Sequence, residues 1–307
     1  MKSRSIGLPK ESDTNHAYRM YEGIEYKEFW KESKKHNLDR LEHAIVSSLL
    51  PACGRRIIDI GCGFGRLSDC YLDRFEQVIM LDGSVTLLQQ ARKTVGEGAT
   101  YVAADANNLP LRPSSMDCVL LFRVFHHLPD SHSILTEVRR VLGRKGVFVF
   151  NYCNKISLRQ LVLWMLRRKR ENPLTLETIG IGTRLISHHP RYIRGLLEKN
   201  GYSNMKYLGA GIFDKIPDPF GILFPLAKLL APVFGLTNLA PWINCRAITS
   251  SGEPLDTMRK VEDIFICPSC HCDLVYLTQA YVCKSCEHIY PIEDGIIDFR
   301  LASDELF

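Results

Sequence analysis

Four cysteines stand as two C-x2-C pairs with twelve residues between them, Cys267 and Cys270, then Cys283 and Cys286. Each pair makes a tight knuckle, and a hairpin between them would bring four thiolates into a tetrahedral site for a structural zinc ion. A closed four-thiolate set leaves no open position for catalysis at the metal. Cys272 is a fifth, odd thiol and reads as a bystander. A second constellation lies in "IIDIGCGFGRL", residues 57–67, where Gly61, Gly63 and Gly65 follow Asp59. Glycines at this spacing let backbone pass close to a ligand and open the next segment. A dinucleotide fingerprint would need its third glycine at position 66, which holds Arg66, so a nicotinamide cofactor is disfavoured. Asp82 ends the second strand-like run, where a carboxylate can accept both hydroxyl protons of a ribose, and Asp105 ends the third, within reach of an adenine amino group. His126 and His127 in "FHHLPD" follow the fourth strand. Imidazole titrates near neutrality, so either is a candidate general base.

These residues need elements to hold them. "RIIDI", "QVIMLD", "TYVAAD", "DCVLLFR" and "GVFVFNY" read as strands. Between them lie expected helices over 66–75, 84–95 and 131–142. The last places Ile134, Leu135, Val138, Val141 and Leu142 on one stripe. This alternation predicts an α/β fold, a doubly wound and mostly parallel sheet with helices on both faces. Leu38, Leu41, Ile45 and Leu49 mark an earlier helix, while Tyr21 and Trp30 could form an aromatic lid or pack on the sheet. The expected organisation is an N-terminal extension with lid helices over 1–44 and a main domain over 45–249, with substrate-side insertions over 154–243. A linker over 250–263 and a zinc ribbon over 264–307 complete it.

Taken in order, "IIDIGCGFGRL", "VIMLDGS", "VAADANNLPLRPSSMDCVLLFRVFHHLPD" and "EVRRVLGRKGVFVF" resemble the class I S-adenosylmethionine-dependent methyltransferases over residues 45–152. The resemblance implies a seven-stranded Rossmann-like sheet. It also implies that S-adenosylmethionine lies against Gly61, Gly63 and Gly65, with Asp59 and Arg66 at its amino and carboxylate ends. Asp82 would hold the ribose and Asp105 the adenine, with Ala106 and the backbone at Arg123 lining the same pocket. The Asp/Asn-Pro-Pro-Phe/Tyr segment of methyltransferases acting on amide or exocyclic nitrogens is replaced by "FRVFHHLPD", which disfavours those acceptors. The segment from Cys267 through "YPIEDGI" is similar to the small zinc-ribbon activator subunit of RNA and protein methyltransferases, here fused to its own enzyme.

The acceptor is less legible. A proline-broken apolar segment over 211–243 and "LRQLVLWMLRRKR" suit a small or lipid-like metabolite and a peripheral contact with a membrane surface. The layout also resembles methyltransferases of quinone and polyprenyl-type metabolism. Two alternatives stay open. One is a tRNA or other RNA methyltransferase, supported by the activator-like ribbon, by Arg167, Arg168, Lys169 and Arg170, and by the similarity of "VFHHLPD" to wobble-uridine methyltransferases. The other is a non-catalytic cofactor-binding module. A net charge of +5 permits an anionic partner without demanding one. Hydrophobic content of 46% and charged content of 24% fit an ordinary globular chain. Scattered cysteines and no apolar leader predict a cytoplasmic protein, or one at the inner face of the membrane, with no obligate protein partner.

Overall fold

The computed structural model describes residues 36–181, 185–214, 216, 222–255 and 260–300. Tyr21 and Trp30 lie outside the described residues.

Five strands form the parallel centre: β1 (Gly54–Ile60), β2 (Phe75–Asp82), β3 (Thr100–Ala103), β4 (Met116–Leu121) and β5 (Leu142–Asn154), in the order β3-β2-β1-β4-β5. Two short strands follow, β6 (Ile179–Ile181) and β7 (Leu185–His188), and then β8 (Tyr202–Ala210) and β9 (Trp242–Thr249). The β9 strand runs antiparallel to both β5 and β8, so β8 points the same way as β5. Side chains alternate between two cores because successive residues of a strand face opposite ways. Ile58, Ile60, Val119, Leu121, Phe148 and Phe150 share one core, while Ile57, Met80, Cys118, Leu120 and Val149 share the other.

Helices cover both faces. On one side lie α1 (His36–Leu49), through Leu41, Ile45 and Leu49, and α2 (Val85–Val95), through Leu88 and Ala91. Ser84 caps α2 by accepting from the Leu87 amide. On the other side, α3 (Ser131–Val141) buries Ile134, Leu135 and Val138, and Asp130 caps it by accepting from the His132 and Ser133 amides. The expected helix over 66–75 is instead a 3-10 turn, Ser68–Cys70, inside a compact loop. The chain must reverse from the tip of β1 to Phe75 at the start of β2, and Tyr71 turns inward to Asp59 on the way. The remaining helices among the described residues are α4 (Leu158–Met165), α5 (Pro190–Lys199) and α6 (Leu223–Leu236). The α4 helix stops before the basic run Arg167–Arg170, so those charges lie in a turn rather than on a helix face.

The sheet is larger than the seven strands expected. Strands β3-β2-β1-β4-β5-β9-β8 supply the seven, but thirteen strands are connected among the described residues. The C-terminal module contributes β10 (Leu274–Leu277), β11 (Ala280–Cys283), β12 (Ile289–Glu293) and β13 (Ile296–Asp298). β13 lies parallel to β3, with Ile297 opposite Val102, and the Phe299 amide donates to the Ala103 carbonyl at 2.8 Å. An exposed sheet edge offers unpaired backbone groups, and this module satisfies those of β3. Its Phe265, Tyr281, Tyr290 and Phe299 join the same core as Ile58 and Val119. The segment after Thr249 also follows the main domain: Arg144 donates its amide to the Glu253 carbonyl at 2.8 Å.

Candidate functional site

The tips of β1, β2, β3 and β4 converge on one edge of the sheet. At the first, Asp59 is buried and accepts a hydrogen bond from the Tyr71 hydroxyl at 2.8 Å. Burial, aided by nearby Asp82, raises its pKa to about 7 against the opposing effects of the Tyr71 hydrogen bond and Arg66. The loop beyond it is held down by backbone, with the Gly61 and Cys62 amides both donating to the Leu81 carbonyl. Gly61 has φ +72°, and a Cβ there would sit 2.2 Å from Val124 Cγ2. No side chain fits, which is why the spacing keeps glycine at this point.

Asp82 fastens the same loop from the next strand. Its two carboxylate oxygens accept the Gly63 amide at 2.8 Å and the Ser84 amide at 2.9 Å. Burial raises its pKa, while the amides of Ser84, Gly63 and Gly83 pull the other way. Each oxygen keeps a further lone pair for a ligand hydroxyl. Gly65 has φ +81° and completes the turn. Asp105 follows β3 and accepts the Asn107 backbone and side-chain N–H groups at 2.9 and 3.1 Å, an Asx turn beside half-buried Ala106. The loop after it leans on the C-terminal module. Asn108 donates its side chain to the Pro268 carbonyl at 2.9 Å, and the Ile266 amide donates to the Pro110 carbonyl at 3.1 Å.

Arg66 and Arg123, which the sequence places at the pocket, both turn to α1. Arg66 donates to Asp39 at 2.6 Å and to Glu42 at 2.8 Å. Arg123 donates to the other Glu42 oxygen through Nε at 2.7 Å, and also through a second nitrogen. Glu42 is fully buried, and the two arginines compensate its charge. Arg123 has φ +63°, its amide donates to Asn151 Oδ1 at 2.7 Å, and its guanidinium lies 3.7 Å over the Trp242 ring. Glu42, Asp39 and Trp242 carry no motif signal. Glu42 does interrupt the apolar stripe of its helix, lying four residues after Leu38 and three before Ile45, the one trace it leaves in the sequence.

His126 and His127 form the short turn Phe125–His127. The two rings lie 4.1 Å apart, and His126 meets Trp242 edge-on at 5.0 Å. Burial first, then the neighbouring His127, Arg123 and His188, drives the His126 pKa down to about 2. A ring that resists protonation this strongly acts as a neutral hydrogen-bonding and packing group, and it is a poor proton store near neutrality. Its buried Nδ1 has no hydrogen-bond partner among the described residues.

The Sγ atoms of Cys267, Cys270, Cys283 and Cys286 all lie within 4.8 Å of one another. Cys270 is 3.3 Å from Cys283 and 3.5 Å from Cys286, and Cys267 is 3.5 Å from Cys286. Tetrahedral ligands about 2.3 Å from zinc are roughly 3.8 Å apart, so the donor set fits that ion. The Ser285 and Cys286 amides donate to Cys283 Sγ, and the Tyr290 hydroxyl sits 3.0 Å from Cys267 Sγ, the outer contacts that orient metal-binding thiolates. Cys272 points elsewhere, donating to the Cys270 carbonyl.

Residues 58–150 match the family described as methyltransferase domain. An uncharacterized chloroplastic methyltransferase of Arabidopsis thaliana is 34% identical over 111 residues, 33% of this chain and 31% of that protein. A protein of Mycolicibacterium smegmatis described as a probable S-adenosylmethionine-dependent methyltransferase is 29% identical over 144 residues, 45% of this chain and 51% of that one. The chain thus spans about half or less of the length of these two relatives. Among solved structures, a Thermotoga maritima methyltransferase described as a possible histamine N-methyltransferase superposes with a TM-score of 0.54 at 18% identity, covering 77% of this chain and 100% of that one. A chain from the complex between the Haloferax volcanii Trm112 methyltransferase activator and a protein described as a methyltransferase gives 0.51 at 18% identity, covering 73% and 97%. Residues 58–150 thus match a methyltransferase domain, set in a sheet of order β3-β2-β1-β4-β5, and a module with a four-cysteine cluster is joined to it.

Proposed function

We propose that this chain transfers a methyl group from S-adenosylmethionine to a small or lipid-like acceptor, and that its C-terminal module is a zinc ribbon serving as a built-in activator. The observation that carries the reading is the convergence of buried Asp59 and half-buried Asp82 on a loop that has no room for side chains at Gly61. A buried acid calls for a cation or for hydrogen-bond donors, and this donor has an ammonium and ribose hydroxyls. Bound, it supplies an electrophilic methyl on a positively charged sulfur. In this reading Asp59 holds the ammonium and Asp82 the ribose. Gly61, Gly63 and Gly65 admit the sulfonium arm, and Asp105 and Ala106 border the adenine. The Arg123 backbone closes the far side. The protein then needs chiefly to align the acceptor lone pair behind the methyl carbon, because the leaving thioether is neutral. Arg66 and Arg123 fix α1 beside that position through Glu42. His126 and His127 border it, and His126 serves as a neutral hydrogen-bonding group.

Asp59 provides a pH test. An ammonium beside its carboxyl stabilises the ionised form and lowers the pKa from about 7. Donor binding below that pH therefore expels a proton. Affinity rises with pH up to about 7 and then levels. Calorimetry of S-adenosylhomocysteine in buffers of different ionisation enthalpy measures this, and binding with no proton released below neutrality would sever the ammonium from Asp59.

The lipid-like acceptor is supported by two exposed apolar stripes. Leu158, Val162, Met165 and Leu166 form one at α4, and Leu226, Leu229, Val233 and Leu236 form the other on α6. Exposed Arg159, Arg167, Arg168, Arg170 and Lys228 flank them, a pattern suited to an anionic membrane surface. No described helix is long and apolar enough to cross a membrane. The activator role is supported by the pairing of β13 with β3, and the Haloferax neighbour was solved together with such an activator. Incubation with methyl-labelled donor and fractionated cell extract tests the acceptor class. Label is expected in organic-extractable material, and label in RNA would replace this reading with the RNA one.

A further inference from the structure

An open cleft lies between α1, the end of β8 and α6, with about 510 Å³ of empty space when the open solvent at its mouth is included. Leu41, Ile212, Phe213, Phe224, Ala227 and Phe234 make its apolar walls, and Asp214 is the ionisable side chain among its described lining residues. Because β8 points the same way as β5, this end of β8 opens on the edge that carries Asp59, Asp82 and Arg123. Trp242 joins the two regions. At Gly211, with φ +89°, a Cβ would meet Trp242 Cδ1 at 2.9 Å and Asp214 Oδ2 at 3.1 Å, so the carboxylate and the indole edge share one corner. The same indole carries Arg123 over its ring at 3.7 Å and packs against His126 at 5.0 Å. One continuous wall thus runs from Asp214 to the tip of β4.

Among the described residues, one carboxylate along that wall has no partner. Arg66 and Arg123 are matched by Asp39 and Glu42, and Asp214 forms no ion pair or hydrogen bond among the described residues. Burial raises its pKa to about 6; Arg123 opposes this, and Glu42 adds to it. A half-buried carboxylate facing aromatic walls is left short of a cation, and a bound cation would remove that cost.

We propose that Asp214 is the anchor of the acceptor site and holds the cationic nitrogen of a hydrophobic amine, whose apolar body fills the space between Phe213, Phe224 and Phe234. This rests on the methyltransferase reading for the identity of the site, although amine recognition is measurable without it. Phenethylamine is a suitable probe, with phenylethanol and phenylpropionate as its neutral and anionic counterparts. Titrated calorimetrically into the full chain saturated with S-adenosylhomocysteine, the amine is expected to bind at least tenfold more tightly than either counterpart. Asp214→Asn should lose at least tenfold of amine affinity and leave S-adenosylhomocysteine affinity unchanged, while Asp214→Glu should recover part of the loss. Equal binding of the alcohol, preference for the acid, or unchanged amine affinity in Asp214→Asn would overturn the proposal. If the Asn variant fails to fold, the ranking of the three probes on the native chain decides alone. Failure of S-adenosylhomocysteine to bind the native chain would instead remove the methyltransferase reading; the same three probes titrated without it then judge Asp214 separately.

Discussion

Replacing Asp82 with alanine is expected to weaken S-adenosylhomocysteine binding by about 100-fold or more while the fold survives. Two hydrogen bonds from ribose hydroxyls to a carboxylate are worth roughly 1.5–3 kcal/mol each, and about 1.4 kcal/mol corresponds to tenfold in affinity. The substitution also strips the Gly63 and Ser84 amides of their acceptor, so the glycine loop loses its tether to β2. That second effect lowers stability modestly, because the loop keeps the Gly61 and Cys62 bonds to the Leu81 carbonyl. Asp82→Asn should fall between the two, since an amide oxygen still accepts one bond but carries no charge. Calorimetry paired with a thermal melt separates binding from folding. A folded Asp82→Ala protein with native affinity would show that the donor lies elsewhere.

The second large effect is expected at the metal. Cys283→Ser should abolish stoichiometric zinc and unfold β10 to β13. The four-cysteine module has a small core of its own, and zinc supplies roughly 10–16 kcal/mol to comparable peptides. Loss should not stop at the module boundary. Unfolding β13 strips β3 of its neighbour and opens a core shared by Phe265, Phe299 and Leu111. It also frees the loop after Asp105, which Pro268 and Ile266 hold in place. Faster amide exchange across Tyr101–Ala103 and weaker donor binding should therefore accompany a lower melting temperature. Cys272→Ser is the control and should retain both metal and stability. A native melting curve for Cys283→Ser, with no zinc found by elemental analysis of the native chain, would remove the metal claim.

How this chain divides between local and tertiary information can be argued from particular residues. The strands were legible because Ile57 to Ile60 and Val147 to Phe150 are apolar runs bounded by turn residues. The helix over Ser131–Val141 was legible because its apolar positions recur at helical spacing. The glycine loop and the paired cysteines were visible for the same reason, since their chemistry depends on neighbours within a few positions. The 3-10 turn at Ser68–Cys70 was not visible. Helical propensity there yields to the inward reach of Tyr71 toward Asp59, a contact that periodicity does not encode.

The amino-acid order by itself thus determined the strand and helix alternation, the close-approach loop, the strand-tip acids and the thiolate spacing. Tertiary structure decided that Arg66 and Arg123 meet over Glu42, that β13 completes the edge of β3, and that Asp214 and Trp242 share a corner near His126. The physical reason is range. Local sterics and hydrophobic period act over a turn or a strand, whereas ion pairing, edge pairing and cavity formation join residues far apart in the chain and depend on how the layers pack.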